Sequence, residues 1–174
     1  MKQYANGFVA NRVLKLNVGF LLADGPGHSH ETAFDVPAIR VSDDVDLAYI
    51  RGPLILSRIK EGILVQGTLN IGINGDCYRC LDSTQQNQVL EIQEVYQYPT
   101  RIDAEYSISE DAMLDLAPLV RAEAIIADAR GGLCRPDCKG LCPNCGANWN
   151  TTTCDCDAQD IDPRLEKLKQ LLKT

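Results

Sequence analysis

The stretch Leu54-Ile55-Leu56-Ser57-Arg58-Ile59, then Lys60-Glu61-Gly62, then Ile63-Leu64-Val65-Gln66-Gly67-Thr68-Leu69-Asn70-Ile71-Gly72-Ile73 decides the fold. Its second run sets Ile63, Val65, Gly67, Leu69, Ile71 and Ile73 on one side, the period of two expected of a half-buried strand. A short polar turn ending in Gly joins it to the first run, so the pair reads as an antiparallel hairpin. The far end delivers Gly75-Asp76-Cys77. Downstream, Gln88 to Tyr98 alternates again, with Leu90, Ile92, Tyr96 and Tyr98 on one side, and Pro99 ends it. Upstream, Val13 to Leu22 alternates Leu14, Leu16, Val18, Phe20 and Leu22 against Lys15, Asn17 and Gly19, which predicts another strand. Asp24 to His30 reads as a Gly/Pro loop, and Thr32 to Val41 as an extended segment in which Pro37 marks an edge or a bulge.

After the strands the period changes. Asp115 is placed to cap a helix whose first turn holds Pro118, where a missing amide donor is tolerated, and Leu116, Leu119, Val120 and Glu123 to Ile126 continue it. Gly131-Gly132 ends it. Near the C-terminus Asp162-Pro163 repeats the cap-then-Pro start. Leu165, Leu168, Leu171 and Leu172 then form a stripe against Arg164, Lys167, Lys169 and Lys173, predicting a short amphipathic helix. The fold class expected is α+β: a predominantly antiparallel β body with a packed helix, a cysteine-rich knuckle tail and a short C-terminal helix. The boundary falls between a body of residues 1–132 and a tail of residues 133–174, the two forming one continuous structural unit.

Composition limits the functional classes. The chain has 174 residues, 45% hydrophobic and 24% charged, enough for a real core and too apolar for wholesale disorder. With 17 Lys+Arg against 24 Asp+Glu its formal charge is −7, so no global positive field gathers nucleic acid and any RNA contact must be local. No stretch reaches the roughly 20 apolar residues of a membrane span. Met1 to Gly7 lacks the apolar segment of a signal peptide, so the expected location is the cytoplasm and no membrane partner is expected. Reduced thiols are the default there.

Eight cysteines then become the informative residues. They stand as Cys77-x2-Cys80 and Cys134-x3-Cys138-x3-Cys142-x2-Cys145-x8-Cys154-x-Cys156. A Cys-x2-Cys turn lets two thiolates meet one ion, and Cys142-Pro143-Asn144-Cys145-Gly146 adds a Pro to bend the entry and a Gly for a left-handed residue after the second thiol. Eight thiols divide into two closed tetrahedral sites, so two zinc ions is the simplest count. The favoured partition joins Cys142, Cys145, Cys154 and Cys156 through short loops and leaves Cys77 and Cys80 to meet Cys134 and Cys138. A swapped partition, with Cys77 and Cys80 joining Cys154 and Cys156, stays open. Loaded with two zinc ions the chain would stand near about −11. Arg79, Arg130, Arg135 and Lys139 lie in or beside the cysteine segments, either to meet phosphate or to offset thiolate charge.

These residues carry a family resemblance. Cys77-Tyr78-Arg79-Cys80-Leu81, then Asp115-Leu116 with Glu123, then Cys138-Lys139-Gly140-Leu141-Cys142-Pro143-Asn144-Cys145-Gly146-Ala147-Asn148-Trp149-Asn150, Cys154-Asp155-Cys156 and Asp162-Pro163-Arg164-Leu165 resemble, in order, the YceD family, which is linked to accumulation of large-subunit ribosomal RNA. The similarity covers roughly the second half of the chain. Two departures stand out: Ala127 to Gly132 occupies the place of the family's usual Leu-Pro pair, and Trp149 stands where Leu is common. The resemblance implies a non-enzymatic role in large-subunit assembly and 23S ribosomal RNA accumulation, with ribosomal RNA or a ribosomal or assembly protein as partner.

Two other classes compete. A generic protein-interaction adaptor would use zinc only as structure, a rubredoxin-like protein would hold iron on the same Cys-Pro-x-Cys-Gly turn, and a thiol redox protein would use Cys77 and Cys80. A catalytic site would need an open metal position or a nucleophile with its base, and the sequence offers neither. His28 and His30 read as solvated loop groups, and Asp43, Asp44 and Asp46 as a solvated turn. The partner surface expected is Arg79, Arg135, Lys139 and Trp149, the indole either stacking on a base or filling a partner's pocket. Its alternative role is to cap the small knuckle module's own core.

Overall fold

The computed structural model describes residues 8–101, 103–129 and 132–156. The expected C-terminal helix, Arg130 and Gly131 lie outside those residues. In chain order the elements are β1 Val9–Ala10, a 3-10 turn Asn11–Leu14, β2 Lys15–Asn17, α1 Gly19–Asp24, β3 Ser29–Arg40, β4 Asp46–Ile59, β5 Gly62–Asp76, β6 Ser83–Gln97, β7 Met113–Asp115 and α2 Ala117–Ala129. A five-stranded sheet runs β1-β3-β4-β5-β6, antiparallel throughout except for the parallel β1–β3 pair, and β2 pairs with β7 in a second, two-stranded sheet. The architecture is therefore α+β, mostly antiparallel sheet with two helices and a cysteine-rich region at its end.

The hairpin forms as its pattern requires. Ile59 pairs with Gly62 across Lys60-Glu61, and Ile63, Val65, Leu69, Ile71 and Ile73 are all buried. The β5 strand then runs to Asp76, which pairs with Ser83 of β6, so the two strands stay in register up to the loop that carries Cys77 and Cys80. Gly62 has φ +152, and a Cβ there would come within 2.0 Å of the Tyr96 carbonyl oxygen. The close approach of β6 to the turn thus requires glycine.

Pro37 sits opposite Tyr49, beside the register shift between Leu47 and Tyr49 of the β4–β5 pair. At this point the buried parity switches from Phe34 and Val36 to Ile39 on β3, and from Ile50 to Leu47 on β4. Among the described residues only the two of β1 pair with β3 on that side, at Ile39 and Arg40, so the missing Pro37 amide falls on the edge of the sheet. The β6 strand begins at Ser83 rather than Gln88. Its polar first part, Ser83 to Asn87, is held by five paired positions with β5 rather than by an apolar alternation of its own.

The N-terminal strand expected over Val13 to Leu22 does not form. A 3-10 turn, the three-residue β2 and helix α1 take its place. Apolar residues at nearly every second position satisfy a helical spacing as well: Leu14, Val18 and Leu21 are the buried set, four and three residues apart, while Phe20 is 48% exposed. Asn17 settles the choice by turning the chain, its side-chain oxygen accepting from the Gly19 amide at 3.0 Å. Asp115 does what the sequence asks of it. Its carboxylate accepts from the Ala117 amide at 2.9 Å and pairs with Lys15 at 3.2 Å.

Helix α2 buries Leu119, Val120, Ala124 and Ala127 in the same core as β5 and β6. Two ties hold it at this angle. The Tyr96 hydroxyl donates to the Asp115 carbonyl at 3.2 Å, and Arg121 pairs with Asp44 of the β3–β4 loop, which holds that carboxyl below the usual carboxylate range through the direct hydrogen bond. The end of α2 is thereby delivered beside the β5–β6 loop, where the cysteines gather.

Candidate metal centre

Two clusters of four sulfurs stand at this end of the molecule, one of Cys77, Cys80, Cys134 and Cys138, the other of Cys142, Cys145, Cys154 and Cys156. Within each, the four Sγ atoms lie within 4.8 Å of one another. The swapped partition is not the one the fold builds. In the first cluster Cys77 Sγ lies 3.7 Å from Cys138 Sγ, and Cys80 Sγ lies 3.5 Å from Cys134 Sγ. A disulfide needs about 2.05 Å. Four sulfurs at about 2.3 Å from a central ion in tetrahedral array would be spaced about 3.8 Å apart, so the donors fit a divalent metal held by four thiolates.

The first cluster is the long-range one. Cys77 follows β5, Cys80 lies in the β5–β6 loop, and Cys134 and Cys138 come from the segment after α2. Bonds outside the sulfurs also join these segments: the Tyr78 amide donates to the Gly132 carbonyl at 3.1 Å and the Arg79 guanidinium to the Cys138 carbonyl at 3.0 Å. Cys77, Cys80 and Cys138 are buried and Cys134 is exposed.

The second cluster is local. The Cys142 amide donates to the Ala147 carbonyl at 2.8 Å and Gly146 closes the turn on the Cys142 carbonyl at 2.9 Å. Gly146 takes φ +73, as its place after the second thiol requires, and no other group lies within 4 Å of where a Cβ would stand. Gly146→Ala therefore meets no clash and pays only the left-handed backbone. It is expected to destabilise the tail by about 1 kcal/mol, read as an earlier tail transition in thermal melting with the body transition unmoved.

The first knuckle repeats this turn with a different residue. Leu81 closes on the Cys77 carbonyl at 2.9 Å, in the place of Gly146, and takes φ +60 although it is leucine. The sequence analysis passed over this position. Setting Cys77-x2-Cys80-Leu81 beside Cys142-x2-Cys145-Gly146 would have exposed it.

Outer groups orient the sulfurs. The Asn150 side-chain amide donates to Cys138 Sγ at 3.3 Å, and the Trp149 indole N–H to Cys154 Sγ at 3.3 Å. Asp82 binds both clusters into one region: its carboxylate accepts from Cys80 Sγ at 3.2 Å and from the Asn148 amide at 3.0 and 3.1 Å. Asp82 carries no signal in the sequence, and Asn148 and Asn150 stand out there only as part of the family motif, since a supporting side chain has no spacing rule of its own.

The thiols' acidities are split. The amide of Cys134, with those of Cys80 and Arg79, draws Cys77 down to about 6 against its burial, and the amides of Cys145 and Asn144 draw Cys142 down to about 6. Cys156 is pushed up to about 12, first by Cys145 and then by burial and Cys142. At Cys80 the Asp82 amide pulls down, but burial, the Asp82 carboxylate and the neighbouring thiols push the group up. Four thiols this close do not all ionise unless a cation shares the space, whereas a dication stabilises all four thiolates.

The expected partner residues separate. Arg79 is engaged on the Cys138 carbonyl, and Arg135 lies 3.7 Å from the Asp137 carboxylate. Lys139 is exposed, and its backbone amide donates to the Asn150 side chain at 2.9 Å. Trp149 is half-buried. His28 and His30 belong to neither cluster: His28 contacts the Gly25 carbonyl at 3.2 Å, and His30 meets Phe20 edge-on at 5.0 Å. Among the described residues no helix is long and apolar enough to cross a membrane.

Comparison with known proteins agrees with this geometry. The family model described as large ribosomal RNA subunit accumulation protein YceD matches residues 65–172, a span that contains every cysteine of both clusters. An uncharacterized protein of Mycobacterium tuberculosis is 32% identical over 125 residues, covering 68% of this chain and 60% of that protein. An uncharacterized protein of Mycobacterium leprae is 30% identical over 105 residues, covering 55% of this chain and 46% of that protein. The maize chloroplastic large ribosomal RNA subunit accumulation protein YCED homolog 1 is 36% identical over 64 residues, 36% of this chain and 22% of that protein. The chain thus spans about 60% of the length of the mycobacterial relative it matches over 125 residues. No solved structure matches it. With the family's model running from the middle of β5 through both cysteine clusters, the chain belongs to the YceD family.

Proposed function

We propose that this chain is a non-enzymatic factor that supports assembly of the large ribosomal subunit and accumulation of its 23S ribosomal RNA, with two structural zinc ions, acting in the cytoplasm. The observation that carries the reading is the match across residues 65–172 to a family described by large ribosomal RNA subunit accumulation. The chemistry supports it. Each cluster supplies four sulfurs and no open position for substrate, the mark of a structural rather than a catalytic zinc site.

Zinc's part is to weld. In the first cluster Cys77 and Cys80 hold the β5–β6 loop against the segment carrying Cys134 and Cys138. In the second, Cys142, Cys145, Cys154 and Cys156 close the tail on itself. Residues 1–132 and the tail from 133 onward then act as one unit, joined by the Asn148–Asp82 bond and the Leu141 amide on the Arg79 carbonyl at 3.0 Å. On this reading the residues offered to the partner are Arg79, Arg135, Lys139 and the exposed part of Trp149.

The test is genetic and biochemical. Removal of the protein from its host is expected to lower large-subunit relative to small-subunit ribosomal RNA, and the chain should sediment with large-subunit precursors. An unchanged RNA ratio, with the chain absent from those particles, would sink the reading.

A further inference from the structure

The first knuckle carries a residue that its own stability does not explain. Its turn needs a left-handed residue after the second cysteine, a place filled by glycine in the other knuckle, yet here it is Leu81 at φ +60 with 64% of its surface exposed. A leucine in that conformation costs about 1 kcal/mol, and the exposed side chain recovers nothing by burial. Beside it Tyr78 is 60% exposed but not free, because its hydroxyl donates to the Asp128 carbonyl of α2 at 2.9 Å. The Tyr78 amide is tied to the Gly132 carbonyl, next to Leu133, which is 39% exposed. Three apolar side chains thus stand partly or largely exposed, Tyr78 and Leu81 on the β5–β6 loop and Leu133 on the segment tied to it.

From this placement we propose that Tyr78, Leu81 and Leu133 form a docking face for a basic protein, which receives Leu81 in an apolar pocket. A braced aromatic and a braced leucine lose little side-chain freedom on contact, the condition under which a few residues dominate an interface. Charge selects the class of partner. The exposed carboxylates of Asp76, Asp82, Asp128 and Asp137 lie on the same loops or next to them, and the chain carries −7 overall. Arg135 and Asp137 offset each other as a pair, which leaves Asp76, Asp82 and Asp128 against Arg79, itself held on a carbonyl, and Lys139. A phosphate backbone would meet an acidic rim there, whereas a lysine- and arginine-rich protein surface meets its complement.

The inference rests on the ribosomal reading and names its partner class. It is tested with the full metal-loaded chain against two probes: proteins extracted from purified bacterial large ribosomal subunits and freed of RNA, and the protein-free RNA of the same subunits. Leu81→Asn and Leu81→Gly both accept the left-handed backbone, so both should stay folded with their metal. The expected result is binding to the protein fraction, about tenfold weaker in both variants and in Tyr78→Ala, with no binding to RNA. Equal binding of wild type and folded variants to the protein fraction would overturn the docking face and leave the ribosomal reading intact. Binding to RNA alone would do the same. Failure of the wild type to bind either probe would bring down both.

Discussion

Cys80→Ser is expected to loosen the main body, lowering its stability by about 3 kcal/mol or more and its melting temperature by about 10 °C. Cys145→Ser should leave the body's transition almost unmoved and unfold only the tail. The asymmetry follows from where each sulfur sits. Cys80 is buried between the β5–β6 loop and the segment after α2, and its cluster draws two sulfurs from each. Cys145 is exposed and belongs to a cluster whose members all fall between residues 142 and 156. Metal-binding energy is folding energy wherever the site is not preformed, so each loss is confined to the segments its ion joins. Thermal melting followed by circular dichroism reads the body. Fluorescence reads the tail, because Trp149 is the only tryptophan and its indole donates to Cys154 Sγ. The same loss of body structure in both variants would contradict two separate sites.

Chelation is expected to strip the two sites in sequence. The second cluster has one buried cysteine, Cys142, with Cys154 and Cys156 half-buried and Cys145 exposed, whereas the first has three buried cysteines. A chelator at neutral pH should therefore remove one equivalent about tenfold faster than the other. The fast phase should change Trp149 fluorescence, and only the slow phase should lower the melting temperature of the body. Acid should accelerate both phases, because protons compete with the ion for thiolate sulfur and loading releases them. A single phase carrying both signals would mean that the clusters do not act independently.

The parts of this architecture that were readable in sequence are those fixed by local geometry. The Lys60-Glu61-Gly62 turn, the alternation from Ile63 to Ile73 and the Asp115 cap each rest on a contact within a few residues or on a strand's own period. The grouping of Cys142 with Cys145, Cys154 and Cys156 was readable for the same reason, as the shortest closure. What was hidden depended on partners far along the chain. Leu14, Val18 and Leu21 reach the common core from a 3-10 turn, from the residue before α1 and from α1 itself, and no period within Val13 to Leu22 distinguishes that from a strand. The start of β6 at Ser83 is imposed by β5. Leu81 is readable only by setting its knuckle against the other, because a positive φ leaves no mark on a leucine itself, and Asp82 was hidden because its two jobs, toward Cys80 and Asn148, appear only when the knuckles stand side by side.

The account stands on sulfur-held metal, and elemental analysis of the purified chain beside its absorption spectrum and a thiol count tests that most directly. The expected result is about two equivalents of zinc, a colourless solution and no disulfide in the intact mass. A visible charge-transfer band with iron in place of zinc would move the protein to the redox class. Metal-free material with its cysteines cross-linked would contradict the account at its root.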